Sequence, residues 1–293
     1  MIRQGLKLLH VWIWLSGLIL MVAVGSVVSF LLIRGWSSIN TQLVFGDTPV
    51  LAALLQQRPV FDGLLPAMAG TLALVVMSVG MAVPVGLAAG IYLAEYSDGH
   101  FRALLSLFFD ILAGMPSIVV GLFGFSITVF LHHRFGGRIY PCLFISALSL
   151  AILVLPYLIR TTQTALEGML SDLRMIGPSL GATRLQNIIY ILIPRALKSI
   201  LSGILLAIGR CAEDTAVIML TGVVVSAGIP KSIWGNFEAL PFYIYYVSAQ
   251  YADAEELMRG YGAAIILLVL CAFLFGVASF IQHKLSQRTF DRI

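Results

Sequence analysis

The residues with the most chemistry in this chain stand in "GRCAEDTAVIML", residues 209–220, where Arg210, Glu213 and Asp214 interrupt a run that is otherwise apolar from Ile200 to Val225. A guanidinium carries five N–H donors in a fixed fork suited to an oxyanion, and carboxylates three and four residues further on reach the same side of a helix. An isolated charge near the centre of a bilayer costs at least about 2.5–3.5 kcal/mol, so three charges in such a run require a function or mutual pairing. Arg210 lies about 15 Å along a helix from the start of the run, which is mid-membrane. It is read either as an anion-facing group on a transport pathway or as one half of a structural ion pair locking two helices.

Asp110 and Arg160 form a second pair of opposite sign, each one to two turns from the inner face of its apolar run. They are read as a structural pair, or with Arg160 at the inner mouth of a pathway. Other chemistry is sparse. Cys142, Cys211 and Cys271 stand singly without CxxC spacing and are read as packing residues. His132 and His133 beside Arg134 read as a solvated outer loop rather than a metal site. No G-x-x-x-x-G-K-[ST] occurs, so ATP cannot be held by that device. A membrane-embedded enzyme using Glu213 and Asp214 as acid and base is disfavoured, since no nucleophile, metal constellation or phosphate-binding glycine loop accompanies them.

The elements that must position these residues follow from composition. The chain has 293 residues, 59% of them hydrophobic and only 11% charged, with mean hydropathy +0.97; a soluble domain averages about 45–50% apolar and about 25% charged. The net charge of +4 is too small to suggest nucleic acid. Runs of spanning length at about 11–33, 66–94, 104–131, 141–159, 200–225 and 260–282 predict six transmembrane helices. The first exceeds a signal-peptide core and is read as a retained helix. The 34–65 and 226–259 connections are expected to hold short surface or re-entrant helices, with Tyr243, Tyr245 and Tyr246 as an interfacial aromatic belt. Pro116 and Pro156 are expected to kink their helices.

With the N-terminus inside, the inner side holds Arg3, Lys7, Arg102, Arg160, Arg174, Arg184, Arg195, Lys198, Lys284, Arg288 and Arg292. The outer side holds Arg34, Arg58, Arg134, Arg138, Lys231 and Arg259. The positive-inside bias therefore predicts both termini, and the segment 160–199, in the cytoplasm.

That segment reads "RTTQTALEGMLSDLRMIGPSLGATRLQNIIYILIPRALKS". Gly177-Pro178 is expected to interrupt a continuous helix. Thr183 and Gln186 form a T-x-x-Q capping box opening a second short helix, with Ile188, Ile189 and Leu192 on its apolar side. Helix, glycine turn and helix make either a cytoplasmic docking knob or an amphipathic elbow without a partner.

The spacing of Gly181, nine residues, Ile191, one residue, Ile193 and Pro194 resembles the "G, nine residues, I-x-L-P" part of the EAA loop of ABC importer permeases. In that family the loop fits a groove on the cytoplasmic ATPase and transmits its closure. Met175-Ile176-Gly177 stands where the family has Glu-Ala-Ala, and Pro178 follows. Three stretches narrow the likeness: "GLAAGIYLAEY" at 86–96, "DILAGMPSIVVGLFGF" at 110–125 and "LPYLIRTTQTAL" at 155–166. They are similar in order and spacing to segments of the phosphate-specific (Pst) permeases, particularly the A-type subunit. In register, "SGILLAIGRCAEDTAVIML" resembles that family's "TGILLAIARxxGETAPLLF". The resemblance runs over about 64–285.

It implies an all-α, type I (MetI-like) ABC importer permease with six transmembrane helices in the bacterial plasma (inner) membrane. The expected organisation is a first helix and outer loop at 1–63, a permease core at 64–285 with its coupling loop at about 161–199, and a cytoplasmic tail at 286–293. The implied partners are a second Pst-type permease in a heterodimer, a dimeric cytoplasmic ATPase that holds ATP and Mg, and a periplasmic or lipid-anchored phosphate-binding protein. Membrane lipid surrounds the chain, which itself binds no cofactor and performs no catalysis. Arg210, Asp214, Arg160 and Asp110 match positions of that family and, with Glu213 beside them, are read as the substrate pathway; Gly177, Pro178, Gly181, Ala182, Thr183, Ile191 and Pro194 are read as the segment for ATPase coupling.

Arg210 matches a family arginine implicated in phosphate passage, and Asp214 a family glutamate. Glu213 replaces a glycine and brings the trio to one net negative charge. Protonation of Glu213 by desolvation, a compensating basic residue on the partner permease, or a changed substrate or activity each answers this, the second being preferred. A permease for molybdate, tungstate or sulfate, and a degenerate regulatory permease, are the alternatives within the family.

Overall fold

The computed structural model describes residues 2–46, 48 and 63–290. Arg58, Arg292 and most of the outer connection expected at 34–65 lie outside them. Helices follow from the apolar runs, because in lipid every backbone polar group must be satisfied within its own segment. In chain order they are α1 (Ile2–Gly35), α2 (Thr41–Phe45), α3 (Leu65–Tyr96), α4 (Gly99–Ala113), α5 (Ser117–Arg134) and α6 (Leu143–Glu167). There follow α7 (Ser171–Ser179), α8 (Arg184–Glu213), α9 (Ala216–Thr221), α10 (Leu240–Gln250) and α11 (Ala254–Phe290). Among the described residues there is no strand, only one isolated bridge between Val223 and Phe237.

Six of these helices are long and apolar enough to cross a membrane, the number expected: α1, α3, α5, α6, α8 and α11. Two of the runs read as continuous in the sequence are broken, and α8 begins at Arg184, well before the run at about 200. The run 104–131 is two helices, because Gly114-Met115-Pro116 separates α4 from α5. Proline has no N–H and disfavours helix in the residue before it. Asp110 therefore lies on α4 and not in the third span. The run 200–225 also breaks: α8 ends at Glu213, Asp214 is extended (φ −74°, ψ 118°), and α9 begins anew.

At the centre stands α6, with Leu150, Val154, Leu158 and Ile159 at most 1% exposed. The α3 helix lies along it through Ser78, Ala82, Gly86 and Gly90, all buried and four residues apart. A methyl group on Gly86 would come within 2.7 Å of Leu158 Cβ, and one on Gly90 within 2.6 Å of Thr162 Cβ. Small residues at this spacing let two backbones approach, which is what drives helix association where lipid is as apolar as the side chains. On the other flank α8 crosses α6 with Gly203 against Thr161. The peripheral α1 leans on α11, Gly35 meeting Tyr261 and Ile265, while Trp12, Trp14 and Met21 remain exposed. The alternation of spans puts both ends of the described chain on one face, together with the elbow formed by α7 and the start of α8.

Candidate functional site

Near the far end of α8, Arg210 lines a groove of about 560 Å³ with Tyr157 of α6, Phe275 of α11, Ser202, Leu205, Leu206, Gly209 and Glu213. Gly209 opens room for Phe275, whose ring would lie 2.7 Å from an added methyl group. Tyr157 sits within α6, so the groove runs beside the interior of that helix, while Arg210 stands one turn from the C-terminal end of α8. The Arg210 side chain is 40% exposed; its Nη1 lies 3.3 Å from Glu213 Oε1 and its Nη2 3.8 Å from Asp214 Oδ2. The buried Nε is without a partner.

The two acids are not equivalent. Glu213, on the groove wall, is 64% exposed on its side chain, whereas Asp214 is buried at 3%. Asp214 lies beyond the end of α8 rather than on its face, and its Oδ1 accepts the Val217 N–H at 2.9 Å. That carboxylate thus serves a backbone donor left free by the helix break, since non-helical backbone at membrane depth must be satisfied by protein or line a cavity. The structure brings Arg210, Glu213 and Asp214 together.

Asp110 and Arg160 meet elsewhere, across α4 and α6. Arg160 Nε donates to Asp110 Oδ1 at 2.8 Å, Nη1 to Gln163 Oε1 at 2.9 Å and Nη2 to the Ser106 carbonyl at 2.8 Å. Gln163 Nε2 donates to Glu167 Oε1 at 2.7 Å, and Glu167 pairs with Arg102. A ladder of opposite charges, with Gln163 between them, therefore stitches α4 to the C-terminal part of α6. Arg160 stands one residue before Thr161 and about one turn inward of Tyr157, so the ladder adjoins the groove without sharing its wall.

The elbow forms differently from the sequence expectation in one respect. Gly177 and Pro178 lie inside the last turn of α7, and the turn comes later, at Leu180 and Gly181, where Gly181 has φ +77°. Gly177 serves close packing instead: a methyl group there would come within 2.4 Å of Asn187 Oδ1. Thr183 and Gln186 make the capping box in both directions, at 3.3 and 2.8 Å. From there α8 runs through one π turn, Ile188–Leu192, into the span. Ile188 and Leu192 are buried, but Ile189 is 47% exposed because the wider turn rotates it off the apolar face. Ile191 and Pro194 are half-buried, Ala182 is half-buried and Thr183 exposed. Leu170, Met175, Leu180, Leu185 and Tyr190 stand exposed around the elbow.

Sequence reasoning missed several groups. Glu95, at the C-terminal end of α3, is buried and lies 3.1 Å from Arg174 of α7. Arg184 stacks over the Tyr96 ring at 5.0 Å. The signal was present in the charged residue closing "YLAEY", directly before a hydrophilic loop. On the opposite face Glu238 is buried and accepts the Ala227 and Gly228 N–H groups at 2.8 and 2.7 Å. Burial pushes its carboxyl up from 4.5, and the two amides pull the other way. No group of three His, Cys, Asp or Glu stands together as a metal site among the described residues, and His132 Nδ1 lies 2.7 Å from the Ile139 carbonyl.

Comparison with known proteins gives the chain a place. The sequence profile of "Binding-protein-dependent transport system inner membrane component" matches residues 86–291. The chain is 31% identical over 256 residues to phosphate transport system permease protein PstA 1 of Mycobacterium tuberculosis (strain ATCC 25618 / H37Rv), covering 87% of this chain and 80% of that protein. It is 36% identical over 222 residues to PstA of Mycobacterium leprae (strain TN), covering 74% and 70%. The PstA of Haemophilus influenzae is 34% identical over 224 residues, covering 76% and 77%. Among solved structures, inward-facing conformations of the MetNI methionine ABC transporter superpose with TM-score 0.56 at 18% identity, over 83% of this chain and 99% of that one. A bacterial ABC transporter involved in the import of the acidic polysaccharide alginate gives 0.60 at 15%, over 92% and 96%. These two likenesses concern the fold.

Proposed function

The chain belongs to the family of binding-protein-dependent transport system inner membrane components, and from that premise we propose that it is the permease subunit of an ATP-driven inorganic phosphate importer. It is a multi-pass inner-membrane protein that performs no catalysis. One observation carries the phosphate reading: an arginine within a membrane-spanning helix on the wall of an open groove, in a chain whose relatives are phosphate permeases. A dianion crossing a low-dielectric layer must exchange hydration for fixed donors and positive charge, and a guanidinium fork supplies both.

The groove opens on one face of a single chain, which supports a second permease closing it. The exposed acid Glu213 would face that subunit, where a basic residue would restore the charge balance. Arg160, held by Asp110, would stand at the inner mouth. The exposed apolar side chains of the elbow, framed by Gly177, Pro178, Gly181, Ala182, Thr183, Ile191 and Pro194, would fill the groove of a dimeric cytoplasmic ATPase, which would hold ATP and Mg. The excess of Lys and Arg on the elbow face supports a cytoplasmic elbow and cytoplasmic termini. A phosphate-binding protein would dock on the opposite face.

The test is uptake of radiolabelled phosphate into vesicles holding this chain with its second permease, ATPase and binding protein. ATP-dependent uptake that excess sulfate, molybdate or tungstate does not compete away is expected. Equal competition by any of the three would overturn phosphate as the substrate.

A further inference from the structure

Within the elbow, one side chain is tied to more of the molecule than any role so far considered requires. Arg174 lies at the middle of α7. Its Nη1 is 3.1 Å from Glu95 Oε1 at the inner end of α3. Its Nη2 donates to the Leu166 carbonyl, in the last turn of α6, at 2.6 Å. Its own carbonyl accepts the Asn187 side-chain amide, at the start of α8, at 2.9 Å. One residue thus joins the two halves of the elbow to each other and to the C-terminal ends of α3 and α6.

The Glu95 end of this junction is built unusually. The last turn of α3, Tyr92–Tyr96, is a π turn, and it buries Leu93, Ala94 and Glu95 consecutively. An ordinary helical turn would point one of three such neighbours outward; the wider turn keeps all three inside, and single π turns of this kind cluster at functional positions. The Glu95 side chain is 9% exposed, and among the described residues its ion pair is with Arg174. The contact lacks hydrogen-bond alignment, and Oε1 has no other partner. Next to it, Arg184 covers Tyr96 at 5.0 Å, so two cations of the elbow grip the same turn of α3.

We propose that the Glu95–Arg174 pair is the tether through which displacement of the elbow is passed to the second span. A buried carboxylate whose charged partner sits on a moving element resists separation, because parting leaves an uncompensated charge. The elbow then moves with α3 as one body. Of the apolar side chains of α7, Met175 and Ile176 stand exposed and Leu173 is half-buried, so none is fully buried against the spans. This role falls to Arg174 and Glu95 as positioning residues; neither lines the Arg210 groove.

The transport part of this inference rests on the importer reading, so two readouts are needed. The first uses the purified chain alone and asks nothing of its substrate. Glu95→Gln keeps the shape and removes the charge, and should raise amide exchange within 171–179 by about tenfold or more, with the α6 core unchanged. The second uses the reconstituted complex: Glu95→Gln and Arg174→Gln should assemble and hydrolyse ATP, yet carry at least about fivefold less phosphate per ATP, and the swap Glu95→Arg with Arg174→Glu should restore much of it. Unchanged exchange in 171–179 overturns the tether. So does wild-type transport per ATP in both single variants, or a loss of assembly that the swap fails to repair, which would make the pair a folding contact only. A wild-type complex that takes up no phosphate would instead fail the importer reading, and the exchange experiment would still decide the tether.

Discussion

Replacing Arg210 with glutamine tests the site most directly. Glutamine keeps a polar, hydrogen-bonding end in the groove and removes the charge. Folding should tolerate the change: Glu213 is mostly exposed, and Asp214 loses a contact of 3.8 Å while keeping the Val217 N–H. An exposed pair of this kind is worth about 1 kcal/mol or less. The effect on a passing anion is larger. At an effective dielectric of about 20, a charge about 5 Å from the guanidinium gains about 3 kcal/mol, which corresponds to roughly two orders of magnitude in rate. The side chain is 40% exposed in the isolated chain, and water screening lowers the gain, so the expected loss of uptake lies between about tenfold and about 100-fold. Arg210→Lys retains the charge but not the fork and should lose less than Arg210→Gln. The assay is initial-rate phosphate uptake in vesicles, normalised to assembled complex. Uptake by Arg210→Gln within about twofold of wild type, in an intact complex, would refute an electrostatic role for this residue.

Two further outcomes concern stability. Gly90→Val places a branched side chain 2.6 Å from Thr162 Cβ and 2.8 Å from the Ile159 carbonyl, whereas Gly80 has nothing within 4 Å; thermal melts in detergent should show Gly90→Val destabilised by about 1–3 kcal/mol and Gly80→Val near wild type, and equal effects would contradict the close α3–α6 approach. For Glu238, a carboxyl raised above its ordinary 4.5 by burial contributes stability below that value and loses it as pH rises through the folded-state pKa. Because both backbone donors reach Oε1, Glu238→Gln preserves them. The variant should be at least as stable as wild type near neutral pH and should lose that part of the pH dependence, as melts from pH 4 to about 8 would record; a variant markedly less stable at neutral pH would mean that the charge itself is needed.

Much of this protein is readable along the chain because membrane insertion is a local affair. An apolar run of sufficient length must become a helix wherever its neighbours lie, so all six spans and the Thr183–Gln186 cap follow from composition and spacing. Hydropathy is blind to where such a run breaks, however. Gly114-Pro116 and Asp214-Thr215 sit inside runs that count as continuous, and their breaks move Asp110 out of the third span and Asp214 off the face of α8.

The geometry of partnership between distant positions belongs to the tertiary structure. Nothing in the spacing links Glu95 to Arg174, 79 positions away; the opposite charges of Asp110 and Arg160, 50 positions apart, suggested a pair, but not the hydrogen bond between α4 and α6 in which they meet. Small residues on α3 and α8 let those helices close on α6, and that closeness brings the C-terminal ends of α3 and α6 and the elbow within reach of one another. Glu213 marks the boundary between the two kinds of knowledge. Its spacing from Arg210 sets it on the same side of a helix, but only the folded chain puts it on the wall of an open groove, mostly exposed while Asp214 is buried.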